Sequence, residues 1–165
     1  MNELDNRIFF IAYIISNVLG IVFLISSFTL PRLSRLLYAV LFGWASWANW
    51  SMVINNPQDY LSYADLTFLT FYRSFILGWF KDHVQLSVGL IATVQALIAI
   101  SLLMKGRVYK LGLLGGILFL VAIIPLGVGS AFPCTVLLAA GLVMLRNEDT
   151  WLWQSNSGNF TMSIE

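Results

Sequence analysis

Residues 8–30 read IFFIAYIISNVLGIVFLISSFTL, without one charged side chain. Such a run fits poorly in water and matches the roughly 30 Å hydrocarbon core of a bilayer, which about 20 apolar residues cross as a helix. Residues 36–54, 84–104 and 111–145 are equally free of Asp, Glu, Lys, Arg and His. Over the 165 residues, 10% are charged, against about 25% in a soluble domain. The chain therefore reads as an all-α integral membrane protein. A membrane β-barrel is excluded, because its strands alternate apolar and polar positions and these runs are apolar all round.

Turn signals divide the runs. Pro31 closes the first span, Asn55-Asn56-Pro57 closes 36–54, and Lys105-Gly106 closes 84–104. The block 111–145 is too long for one ordinary span. This predicts a four-helix transmembrane bundle, with residues 1–149 as one domain, a broken last helix, and a polar tail over 150–165. The N-terminal MNELDNR has no basic n-region and no A-x-A site follows, so the first span is expected to be retained. Two links are purely basic: 31–35 with Arg32 and Arg35, and 105–110 with Lys105, Arg107 and Lys110. The positive-inside rule puts both in the cytoplasm and the N-terminus of this multi-pass chain outside.

The break in the last block is PLGVGSAFP, 125–133. It reads either as a kink at Pro125 within one span, or as a tight outer turn between 111–124 and 134–145. A broken helix at membrane depth is tolerated where protein buries it or it lines a wet cavity, so Pro125, Gly127, Gly129 and Ser130 are candidate ligand-site residues. The 55–83 segment, rich in Tyr, Phe and Trp, reads as short interfacial or re-entrant helices capping the outer face. In the alternative, a fifth span, Asp65 and Arg73 would stand about two turns apart on one helix, too far to pair.

Few polar groups fall inside the spans. Asn17, Asn49 and Gln95 are either interhelical glue or the hydrogen-bonding wall of a pocket, with Trp44 and Trp47 as stacking surfaces for a flat ligand. Gly112 and Gly116, with Gly115 beside them, allow close helix approach within the chain or between copies. His83, the single histidine, stands beside Asp82; with Asp65 and Arg73 brought near by the cap it is the candidate acid–base centre. One histidine and scattered acids do not make a metal site, and no cofactor motif is evident. A single cysteine, Cys134, excludes an internal disulfide. A net charge of +1 without a basic cluster excludes nucleic acid as a partner. Asn159-Phe160-Thr161 matches a glycosylation sequon, read here as chance.

FYRSFILGWF ahead of the third span, the Gln95-containing span, and LGGILFLVAIIPLGVGSAFP together resemble the DoxX-like group of small four-helix bacterial membrane proteins, over roughly residues 8–146. The insertion between spans 2 and 3 is longer and more aromatic than that group's pattern. The resemblance implies a four-helix fold in the bacterial inner membrane, with quinone-related oxidoreduction or a helper role in membrane complexes; it carries no catalytic residue onto this chain. Two functions are expected. The first is a binding or accessory protein for a lipid, quinone or other apolar molecule in the outer half of the bundle, with a second copy or another protein as a possible partner. The second is an enzyme acting on a lipid or isoprenoid at the outer interface through His83 and nearby acids.

Overall fold

A computed structural model describes residues 3–148, and all its regular elements are helical. The tail 150–165, with Asn159, lies outside the described residues. Helix α1 spans Glu3–Thr29 and α2 spans Pro31–Asn55, with Pro31 at the first helical position where its missing N–H costs nothing. A cap follows, built from a 3₁₀ turn (Pro57–Ser62), α3 (Tyr63–Leu66), α4 (Thr70–Phe75) and a widened turn (Ile76–Phe80) broken at Gly78. Then come α5 (Val84–Leu103), α6 (Gly106–Ile123), a 3₁₀ stretch (Ile124–Ser130) and α7 (Cys134–Met144). Three segments are long and apolar enough to cross a membrane: Phe10–Thr29, Val84–Leu103 and Gly106–Ser130. Helix α2 has the length, but three tryptophans, two asparagines and several serines make it less apolar.

Neighbours in the bundle follow the order α1–α7–α6–α5–α2, and α1 meets α2 again near the link between them. Small residues set the close approaches. A Cβ on Gly112 would collide with Ser101, one on Gly116 would stand 3.0 Å from Leu142, and one on Gly141 would strike the Tyr38 hydroxyl. Gly112 and Gly116 are thus occupied inside the chain, against α5, α7 and α2, so this glycine pair is not a free dimerisation face.

Helix α2 explains itself by a stripe. Arg35, Tyr38, Phe42, Ser46, Asn49 and Val53 recur every three or four residues, the spacing of one helical face. That face is turned into the bundle, with Asn49 half-buried and the other five buried. Tyr38 O–H donates to Leu138 O at 2.8 Å, and Ser46 Oγ donates to Ala92 O at 2.6 Å. Trp44 and Trp47 lie on the opposite side and point outward.

At the end of α6 the chain turns back. Gly127 has φ +61°, a conformation glycine adopts without steric penalty, and its Cβ would stand 2.8 Å from Leu66 O. Helix α7 then runs antiparallel to α6, which brings Leu145 to Tyr109 (O–H to Leu145 O, 2.6 Å). The segment 125–133 is therefore a full turn, and the chain returns to the end of the bundle that holds the α1–α2 and α5–α6 links.

Candidate functional site

The cap is fastened at both its ends. Thr67 Oγ1 and the Phe68 N–H both donate to Pro125 O, at 2.6 and 3.2 Å, and Tyr72 O–H donates to Ala122 O at 2.7 Å. The carbonyls left over where α6 stops are therefore satisfied by cap donors, as buried backbone groups require. Gly129 leaves room for the Tyr63 ring, and Ser130 Oγ donates to Gly127 O within the turn. Pro125, Gly127, Gly129 and Ser130 form the seat of the cap, covered by Tyr63, Leu66 and Phe68, and not an open mouth. At the other fastening, Tyr60 O–H donates to Asn49 Oδ1 (2.7 Å), and Asn49 Nδ2 donates to Gln95 Oε1 (2.8 Å). Burial, with Tyr63 beside it, pushes the Tyr60 phenol from 10.0 up to about 12, and burial raises Tyr63 as well.

This geometry corrects the amide pocket. Gln95 is 3% exposed and spends its carbonyl on Asn49. Asn17 lies on α1, where its Nδ2 donates to Tyr13 O at 2.9 Å and its Oδ1 is buried with no hydrogen-bond partner. Asn49 and Gln95 tie α2 to α5, while Asn17 bonds within its own helix, so the three do not wall one cavity. Trp44 and Trp47 are 62% and 67% exposed, facing the surroundings of the bundle and not its interior. The physical reason is the α2 stripe: once Arg35, Tyr38, Phe42 and Ser46 take the inner face, the indoles have only the outer one. Trp50 lies over Gly89 of α5.

The acid–base candidates separate into two places. Asp65 and Arg73 pair with each other, Nη2 to Oδ1 at 3.5 Å, on an exposed surface. Residues 67–69 interrupt the helix between them, which is why a pair ruled out on one continuous helix forms here. An exposed pair of this kind contributes about 0–1 kcal/mol. His83 lies instead at the start of α5, stacked on Trp79 with ring centroids 4.4 Å apart and planes 9° from parallel. Its Nδ1 is 2.8 Å from Trp79 O. A carbonyl oxygen only accepts, so Nδ1 is the donor in this contact, and in the neutral ring Nε2 is then the acceptor.

His83 opens onto a groove of about 330 Å³ lined by Pro57, Gln58, Lys81, Asp82, His83, Val84, Gln85 and Leu86. Position follows from sequence here. The α2 stop at Asn55 starts the Pro57 turn, and the α5 start at Val84 brings 81–86 against it. Among the described residues no group of three or more His, Cys, Asp and Glu could hold a metal. No family model matches this chain, and neither does any curated protein or solved structure.

One heavily bonded side chain was counted in the sequence only as a link charge. Arg35 is fully buried. Its Nε and Nη2 donate to Leu102 O (3.3 and 3.0 Å), Nη2 to Met104 O (2.6 Å), and Nη1 to Glu148 O (3.1 Å). Its guanidinium carbon stands 4.1 Å from the centroid of the Tyr109 ring. A cation at the C-terminal end of α5 satisfies carbonyls the helix leaves open and complements its dipole. The signal was present: Arg35 belongs to the same three-and-four spacing as Tyr38 and Phe42.

Proposed function

We propose that this is a multi-pass membrane protein that binds a membrane lipid at its outer face, with the polar groove at His83 taking the headgroup. The observation that carries the reading is continuity. Leu86 lines the groove, and Leu86, Leu90, Val94 and Leu97 form an exposed apolar stripe down α5. From residue 86 to 97 the helix rises about 17 Å, roughly one leaflet of a ~30 Å core. A headgroup in the groove would therefore leave its chain on a ready apolar track. Trp79, stacked on His83 and itself exposed, suits the headgroup zone, where indoles settle.

The same proposal includes α2 as a fourth span, the two basic links in the cytoplasm, the cap outside, and the inner-membrane location implied by the DoxX-like layout. Support for the fourth span comes from α2 packing on α5 over most of its length, from Arg35 to Trp50. Native mass spectrometry from mild detergent tests the binding reading. One lipid per chain is expected to survive activation, and Leu86→Asn with Leu90→Asn is expected to release it. Retention of random lipids alone, unaffected by those substitutions, refutes it.

A second reading rests on the fixed His83 tautomer. With Nδ1 donating to Trp79 O, the neutral ring has Nε2 left as an acceptor, the form a general base takes. Asp65 is engaged with Arg73 and Asp82 is the acid beside His83, so any such chemistry runs through His83 and Asp82. The observation to seek is lipid turnover that His83→Gln abolishes while retention persists.

A further inference from the structure

Resting on the lipid-groove reading, we infer that the groove selects one headgroup class: a phosphodiester bearing a primary ammonium, as in ethanolamine lipids. The argument is charge and hydrogen-bond inventory. Lys81 and Asp82 line the groove together, and the neighbouring acid Asp65 is paired elsewhere, with Arg73. The groove thus offers one positive and one negative group of its own. A purely anionic headgroup would meet the Asp82 carboxylate, and a purely cationic one the Lys81 ammonium. A zwitterion matches both, with its phosphate toward Lys81 and the amide N–H groups of Gln58 and Gln85, and its amine toward Asp82.

His83 decides between two zwitterions. Its Nδ1 donates to Trp79 O, so in the neutral ring Nε2 is left as an acceptor. Asp82 is likewise an acceptor. A primary ammonium has three N–H donors to give them, whereas a trimethylammonium has none. The stacked Trp79 ring is occupied by the imidazole at 4.4 Å, which removes one ring face from the aromatic surroundings that quaternary ammonium groups prefer. The acceptor pair therefore favours the primary amine.

The test reconstitutes the full chain with an equal mixture of phosphatidylethanolamine, phosphatidylcholine and phosphatidylglycerol. Lipid retained by the protein is then counted by native mass spectrometry. The expected result is enrichment of phosphatidylethanolamine over the other two. Asp82→Asn is expected to lower its preference over phosphatidylglycerol about fivefold, the scale of one exposed ion pair. Asp82 is exposed, so that variant should melt as the wild type does. His83→Phe keeps an aromatic partner for Trp79 and is expected to lower the preference over phosphatidylcholine. Equal retention of all three lipids, unchanged in both variants, overturns the headgroup selectivity while leaving the lipid groove standing. Failure to retain any of them overturns both.

Discussion

Arg35→Met replaces a guanidinium by a chain of similar reach that carries no donor. Three carbonyls then lose their partner: Leu102 O and Met104 O at the end of α5, and Glu148 O after α7. A buried polar group left unsatisfied costs about 1–3 kcal/mol. These carbonyls lie at one end of the bundle, where water can partly replace the lost donor, so the low end applies to each. The loss over three groups is about 3 kcal/mol, close to two orders of magnitude in the folding equilibrium. The same loss lowers a melting temperature by about 6–12 °C in a chain of this size. Cys134, free and buried in the fold, makes the assay simple. A thiol-reactive dye that fluoresces on coupling reports unfolding at this one site, because the sequence has no second cysteine. Arg35→Lys keeps the charge without the planar fork that reaches several carbonyls at once, and is expected to recover about a third of the loss. An Arg35→Met protein melting within about 2 °C of the wild type refutes the latch, as would identical melting of the Lys and Met variants.

Two further outcomes follow from the packing. Gly141→Leu forces a side chain between the Tyr38 hydroxyl and Ser27 Oγ and is expected to destabilise by about 1–3 kcal/mol, the usual range for overpacking, read in the same dye assay. Tyr60 gives a pH dependence. The unfolded phenol releases its proton near 10.0 and the folded one near 12, so the stability it contributes is intact below pH 10 and is lost as pH rises from 10 towards 12. Tyr60→Phe is expected to lower the melting temperature at neutral pH through its lost bond to Asn49 and to flatten part of that alkaline decline; a profile parallel to wild type across the window argues against it.

How much was legible divides along physical lines. Helix ends were, because Pro31, Asn55-Asn56-Pro57 and Lys105-Gly106 act locally, and α1, α2, α5 and α6 start or stop within a few residues of them. The helical cap between α2 and α5 was legible from its aromatic composition and its broken apolar pattern. The roles of side chains were not. Trp44 and Asn49 are equally plausible pocket residues until the inward face of α2 is known, and that face is set by contacts with distant α5. The Arg73–Asp65 pair depends on a chain break at 67–69 that no residue type announces. His83 was found by its chemistry, but its tautomer depends on a backbone carbonyl four residues earlier, which sequence cannot orient. Arg35 was missed because a charge near a span end has a ready topological explanation, which hid its register with Tyr38 and Phe42.

The seat of the cap has a bearing on the order in which the protein is made. The donors that satisfy Ala122 O and Pro125 O come from Thr67, Phe68 and Tyr72, some 50 residues earlier in the chain. A buried carbonyl left without a partner costs about 1–3 kcal/mol, and the bend between α6 and α7 presents two carbonyls that the cap serves. During synthesis the cap residues emerge first, so the bend, when it arrives, finds its hydrogen-bond partners already made. The final hairpin is built onto a template laid down by the first half of the chain. Expressed alone, the segment from 106 onward would lack those donors at its bend.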